Sequence, residues 1–203
     1  VTPRVRYIVE GANLFITQDA RIVLEKAGVI LFKDASTNKG GVTSSSMEVL
    51  AALAFDDDGF KEDMQMREDG TLPKFYQQYV KEVQRRIQEN AAFEFECIWR
   101  ERERTGTPSC VLTDQVSAKI NSLNDAIQES SLWRDKEIRE RVLKEALPDL
   151  LIDKLGLETI LRRVPDSYIR AIFGAYLASR YVYNYGLSAS DFSFFEFASR
   201  YTN

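Results

Sequence analysis

Apolar residues recur along this chain with two periods, and the change from one to the other divides it. Residues Arg6-Tyr7-Ile8-Val9-Glu10 alternate and are rich in β-formers, so they predict a strand. A loop over 11–16 follows, then Thr17 as the N-cap of a helix with Asp19 in its first turn. That helix carries Ala20, Val23, Leu24 and Ala27 on one face and stops at Gly28. Residues 29–32 are continuously apolar, the pattern of a parallel strand covered on both faces. Residues 34–39 read as a polar loop, and Gly40-Gly41 open a second helix through Met47, Leu50, Leu53 and Ala54. The order is strand, loop, helix, twice over. Two strands are too few for an independent sheet, so the expectation is a chain cut just ahead of its first strand, with neighbouring strands upstream.

The period then becomes helical throughout. Asp56-Asp57-Asp58-Gly59 and Arg67-Glu68-Asp69-Gly70 bracket a charged segment that reads as a linker or surface insertion, and no further carboxylates fall at the spacing of a calcium loop. Leu72, Phe75, Tyr79, Val83 and Ile87 recur at three and four residues, and Ile98 and Trp99 continue the stripe. This predicts one helix of roughly 30 residues, about 45 Å long, ended by Gly106 and Pro108. Thr113 or Asp114 caps the next, with Val116, Ile120, Leu123 and Ile127 as its stripe. Ile138, Val142 and Leu143 mark another, closed by Pro148; short turns follow, punctuated by Gly156 and Pro165. Residues 168–185 and 191–201 form the last two helices. The fold class is therefore mixed: a βαβα unit followed by a predominantly helical region, divided as 1–66 and 67–203.

Composition removes several functions. With 203 residues, 44% apolar and 29% charged, the balance is that of an ordinary globular protein. The net charge of −4 makes nucleic acid a poor partner. Histidine is absent, which excludes serine–histidine hydrolysis and histidine-held metals within this segment. Cys97 and Cys110 are the only thiols, too few for a disulfide scaffold or a structural zinc site, and they point to a reducing setting inside the cell, cytoplasmic or mitochondrial. The most apolar stretch, 168–185, is broken by Arg170 and Arg180 and predicts a buried helix, not a membrane span.

In an open α/β sheet, ligands sit beyond the carboxyl ends of the strands. Both loops there hold an amide: Asn13 within Glu10-Gly11-Ala12-Asn13, and Asn38 ahead of Gly40-Gly41. An asparagine offers a donor and an acceptor, which suits a nicotinamide carboxamide or ribose hydroxyls. The helix opened by the two glycines turns free amides and its positive end toward an anion. Each feature taken singly is as well explained by structure, since Asn and Gly-Gly are common in turns and Ser starts helices.

The stretches Glu10-Gly11-Ala12-Asn13-Leu14-Phe15-Ile16-Thr17 and Ser36-Thr37-Asn38-Lys39-Gly40-Gly41-Val42-Thr43-Ser44-Ser45-Ser46 resemble the end of the nucleotide-binding domain in the Glu/Leu/Phe/Val dehydrogenases. Within that superfamily they are similar to the large NAD-specific glutamate dehydrogenases, as are Ala146-Leu147-Pro148-Asp149-Leu150-Leu151 and Gly156-Leu157-Glu158-Thr159-Ile160-Leu161. The smaller enzymes have Ala where this chain has Lys39, and lack the helical tail. The resemblance implies a Rossmann-like origin for 1–66, and oxidative deamination of L-glutamate to 2-oxoglutarate and ammonium with NAD as cofactor. It implies a homo-oligomeric enzyme whose upstream domains complete the site. Carried over by residue, it gives Asn13 a contact to the nicotinamide ribose and Asn38 one to the carboxamide. Ser45 matches the serine that binds the glutamate side-chain carboxylate, and Val42 its apolar neighbour.

What is missing matters equally. The glycine-rich phosphate fingerprint and its following acidic residue do not occur in this chain. The catalytic lysine and aspartate of the family also fall upstream, and neither Asp34 nor Lys39 aligns with them, so the segment by itself is expected to be inactive. A second reading makes the helical part an assembly or regulatory module, because Tyr176, Tyr181, Tyr183, Tyr185, Phe192, Phe194, Phe195 and Phe197 crowd the last two helices. Packing within the domain accounts for the same residues. The run 100–104 reads as a solvated helix end, and Cys97 as helix packing.

Overall fold

Two short strands with matching apolar runs pair in parallel. β1 (Tyr7–Val9) lies beside β2 (Ile30–Phe32), with Tyr7 opposite Ile30 and Val9 opposite Phe32, and α1 (Gln18–Lys26) crosses between them. The computed structural model describes residues 4–202. Thr17 caps α1 as the sequence predicts, accepting from the Ala20 amide at 3.3 Å, and Gly28 leaves the helix at φ +89°. The packed face of α1 is not the predicted one: Arg21 and Glu25 are buried, while Ala20 and Val23 are exposed. The cause is a set of buried polar bonds, which hydropathy periods do not register. Arg21 reaches Glu10 and Asp34, and Glu25 accepts from the Ser109 and Cys110 amides at 2.7 and 2.9 Å.

Residues 34–39, expected as a loop, hold a single helical turn, α2 (Asp34–Thr37). The Asp34 carboxylate accepts from the Ala35 amide at 2.8 Å and starts that turn. After Asn38 the chain continues as α3 (Lys39–Ala54), which begins one residue ahead of the glycine pair. The charged segment after it lies at the surface, as read, but begins with a helix. Asp56 caps α4 (Asp57–Asp63), accepting from Gly59 at 2.9 Å and pairing with Arg163 at 2.7 Å.

The long helix is present as α5 (Lys74–Thr105), 32 residues, ended by Gly106 at φ +70°. Next, α6 (Ser109–Glu129) starts earlier than the predicted cap. Pro108 sets the entry to α6 but offers no side-chain acceptor, so Glu25 of α1 supplies one from a different element. Thr113 donates instead to the Ser109 carbonyl, and Asp114 pairs with Lys33 at 2.6 Å. After α7 (Ser131–Arg134) and α8 (Lys136–Ala146) the device repeats. Pro148 precedes α9 (Asp149–Leu155), and Glu82 of α5 accepts from the Asp149 and Leu150 amides at 2.6 and 3.0 Å. Where turns were expected, α9 and α10 (Leu157–Arg163) are short helices.

The chain closes with α11 (Asp166–Tyr185), α12 (Asp191–Ala198) and a 3-10 turn over Ser199–Tyr201. Helix α11 lies against α6 so closely that a Cβ on Gly174 would clash with the Asn124 side-chain oxygen. One apolar cluster runs from Phe32 and Leu50 through Ile98 and Leu112 to Phe173 and Leu177, joining the strand unit to the helices. The terminal aromatics split: Tyr181, Phe197 and Tyr201 are buried, whereas Phe192 and Phe195 are 72% and 73% exposed. The run 100–104 is not simply solvated. Glu101 is buried and accepts from Arg104 and from the Leu187 amide, while Arg100 donates to the Tyr183 carbonyl. Among the described residues, no helix is long and apolar enough to cross a membrane.

Candidate functional site

The carboxyl ends of β1 and β2 are tied together by charge. Arg21 forks onto Glu10, with Nε 2.7 Å and Nη2 3.0 Å from its oxygens, and the same Nη2 lies 3.1 Å from Asp34. All three side chains are buried, so each charge is met by partners that water would otherwise supply. The second Asp34 oxygen accepts from the Leu14 amide at 2.6 Å. That amide bond, then the Ala35 amide and the Arg21 guanidinium, hold the Asp34 carboxyl below its ordinary value. Leu14 sits at φ +54°, a left-handed conformation that a side chain of this size rarely takes, and the Asp34 bond holds it there. The Thr37 hydroxyl closes the strap by donating to the Glu10 carbonyl.

This frame brings the two predicted asparagines into contact. The Asn38 side-chain amide donates to the Asn13 side-chain oxygen. The bond leaves one NH2 group and one carbonyl oxygen of the pair free, whichever way round the two amides are turned. A free donor and acceptor on an exposed corner match a primary carboxamide or a ribose diol, so the residues present fit the nicotinamide end of a dinucleotide.

The other two predicted residues lie farther along α3. Val42 is 71% exposed and edges a groove of about 370 Å³ between α3, α5 and α11. Ser45 is exposed and donates back to the Gly41 carbonyl at 3.0 Å, as Ser46 does to Val42. Three positions apart, Val42 and Ser45 share a helix face. The structure does not bring Ser45 into the groove that Val42 edges.

Sequence reasoning missed what fixes the start of α3. Lys39 pairs with Glu94 of α5, its Nζ 2.7 and 2.8 Å from the two carboxylate oxygens, and the Tyr183 hydroxyl of α11 donates to the same carboxylate at 2.8 Å. Burial, and then the neighbouring Glu94 charge, push the Tyr183 hydroxyl well above its ordinary range. The signal was available in part, because Lys39 stands where the smaller enzymes carry Ala; Glu94 has nothing in its own sequence context to mark it.

Comparison with known proteins identifies the family. The chain is 62% identical over 194 residues to the NAD-specific glutamate dehydrogenase of Neurospora crassa, covering 96% of this chain and 18% of that protein. It is 55% identical over 190 residues to glutamate dehydrogenase 2 of Dictyostelium discoideum, covering 94% and 18%. Against the probable NAD-specific glutamate dehydrogenase of Schizosaccharomyces pombe the identity is 52% over 198 residues, covering 97% and 18%. The chain thus spans about a fifth of the length of these relatives. No solved structure matches it. The family model for Glutamate/Leucine/Phenylalanine/Valine dehydrogenase matches residues 1–106, more than half of the chain, and the chain belongs to that family.

Proposed function

We propose that this chain forms one wall of the active site of an NAD-dependent glutamate dehydrogenase, which converts L-glutamate and water to 2-oxoglutarate and ammonium. Bound NAD would supply the acceptor for the hydride that leaves the substrate α-carbon. Asn13 holds the nicotinamide ribose and Asn38 the carboxamide, so the ring is oriented before reaction. Ser45 turns its hydroxyl from Gly41 to the side-chain carboxylate of glutamate, and Val42 packs against the substrate's methylenes. The lysine and aspartate that activate water and move protons come from elsewhere in a longer chain, so this segment alone is inactive.

The observation that carries the reading is the Asn38–Asn13 contact at the ends of two parallel strands, where a doubly wound sheet binds its ligand. In the same reading, 1–66 closes a Rossmann-like nucleotide-binding domain, and 67–203 is the helical region of a homo-oligomer. Exposed Tyr7 and Val9 on one face of β1 support a further layer there. Steady-state kinetics of the full-length enzyme test the substrate side. Ser45→Ala raises KM for glutamate about tenfold with kcat little changed, the mark of lost ground-state binding. An unchanged KM would remove Ser45 from the site.

A second reading gives the helical region an assembly role, favoured by the exposure of Phe192 and Phe195. Truncation after Leu187 followed by light scattering tests it; an intact oligomer removes its main support.

A further inference from the structure

The groove between α3, α5 and α11 has a charge that the mechanism does not use. Its lining contains two arginines, Arg86 and Arg180, and no carboxylate among the described residues, in a chain whose net charge is negative. The two arginines differ. Arg86 is fully engaged, bonding Glu82 and the carbonyls of Glu145, Ala146 and Leu147, where it caps the carboxyl end of α8. Arg180 is engaged differently: among the described residues it bonds no carboxylate and no carbonyl, and its polar neighbour is the Tyr176 hydroxyl. Its Nη1 is buried without a hydrogen bond, and none of the ion pairs among the described residues includes it. Instead the guanidinium is held between two aromatic rings, 4.5 Å from the Phe93 centroid and 5.2 Å from that of Tyr176. Glu145 lies beyond Tyr176, but its carboxylate accepts from the Tyr176 and Tyr201 hydroxyls.

A guanidinium stacked between rings is fixed in orientation, so little entropy is lost when it binds a planar anion through two N–H groups. The rest of the groove supplies the other half of a small-molecule site. Ile172, Ala175 and Met47 give it an apolar wall, and the Asn90 side chain, which makes no hydrogen bond among the described residues, adds a donor and an acceptor. Its volume of about 370 Å³ lies within the usual range for such sites. We propose that this groove binds a small carboxylate with a short aliphatic body, its carboxylate on Arg180 and its chain against Ile172 and Ala175. Val42 edges the groove, so the site adjoins the proposed substrate contact, but Ser45 does not line it and the carboxylate is held by Arg180 instead.

Calorimetry on the full-length protein tests this, with isocaproate as the probe and isocaproamide as its neutral counterpart. The expected result is saturable isocaproate binding, with isocaproamide and the Arg180→Gln variant each roughly tenfold weaker, since each removes a charge-assisted pair. Ala175→Phe, placed at an exposed helix position, fills the groove without touching the cation and should also abolish binding. Ser45→Ala should leave isocaproate binding unchanged. Absence of saturable binding overturns the proposal and gives Arg180 to a carboxylate elsewhere in the longer chain. Equal affinity of acid and amide also overturns it. Binding lost in Ser45→Ala but kept in Arg180→Gln would place the probe at the substrate contact and refute a separate site.

Discussion

Lys39 Nζ lies 2.7 Å from Glu94 Oε1, and through this pair the first residue of α3 is bolted to the middle of the long helix. The two partners are unequal: the Lys39 side chain is 39% exposed and that of Glu94 4%. Removing the lysine strands a buried carboxylate with only the Tyr183 hydroxyl, whereas removing the carboxylate's charge leaves a lysine that water can reach. Asn38 is the adjacent residue, so the corner it forms with Asn13 should loosen with the pair. Lys39→Ala is therefore expected to weaken NAD binding by roughly 1 to 2 kcal/mol, and Glu94→Gln by less. KM for NAD in the full-length enzyme measures both; equal effects would mean that desolvation of Glu94 is not what matters.

The Glu10–Arg21–Asp34 network makes a sharper case. Arg21→Met keeps the apolar length of the side chain but leaves the buried Glu10 and Asp34 carboxylates without a cation, Asp34 keeping only its two amide donors, at a cost of about 3 kcal/mol. A large drop in the urea midpoint is expected. The pH dependence follows from the depressed Asp34 value. Its contribution is complete above the ordinary aspartate value of 3.8 and is lost as pH falls below it, through the lower folded value. The acid limb of the stability profile should therefore flatten when Asp34 is replaced by Asn. An unchanged acid limb would show that Asp34 titrates alike in both states.

The thiols should be inert in the folded protein. Burial pushes Cys97 up to about 11. Burial, with the Glu25 carboxylate beside it, pushes Cys110 up to about 12. Neither is a thiolate at neutral pH, and both are fully enclosed. Alkylation with iodoacetamide followed by mass spectrometry should label neither cysteine in native protein and both after denaturation. Rapid native labelling of either would mean that its helix opens readily.

These cases show where the sequence was legible. Apolar periodicity located both strands, α3, the whole of α5, α8 and α11, because those elements bury apolar faces. It placed α1 but misread its packed face, whose inward residues are Arg21 and Glu25, and it missed the start of α6, where Glu25 from another element accepts from the amides that follow Pro108. It failed again at 100–104, where Glu101 turns inward to the Leu187 amide. Buried charge with distant partners leaves no local period to read. The site was half legible for the same reason. Asn13 and Asn38 stand out in their loops, but Lys39–Glu94–Tyr183, which fixes one of them, spans three helices that only the fold brings together.

The central claim is that the Asn13–Asn38 corner faces the nicotinamide. Asn38→Ala in the full-length enzyme, assayed by NADH formation with each substrate varied in turn, tests it most directly. The expected result is KM for NAD raised about tenfold, the loss of roughly 1.4 kcal/mol of binding, with KM for glutamate unchanged. An unchanged KM for NAD, or a change confined to glutamate, would contradict it.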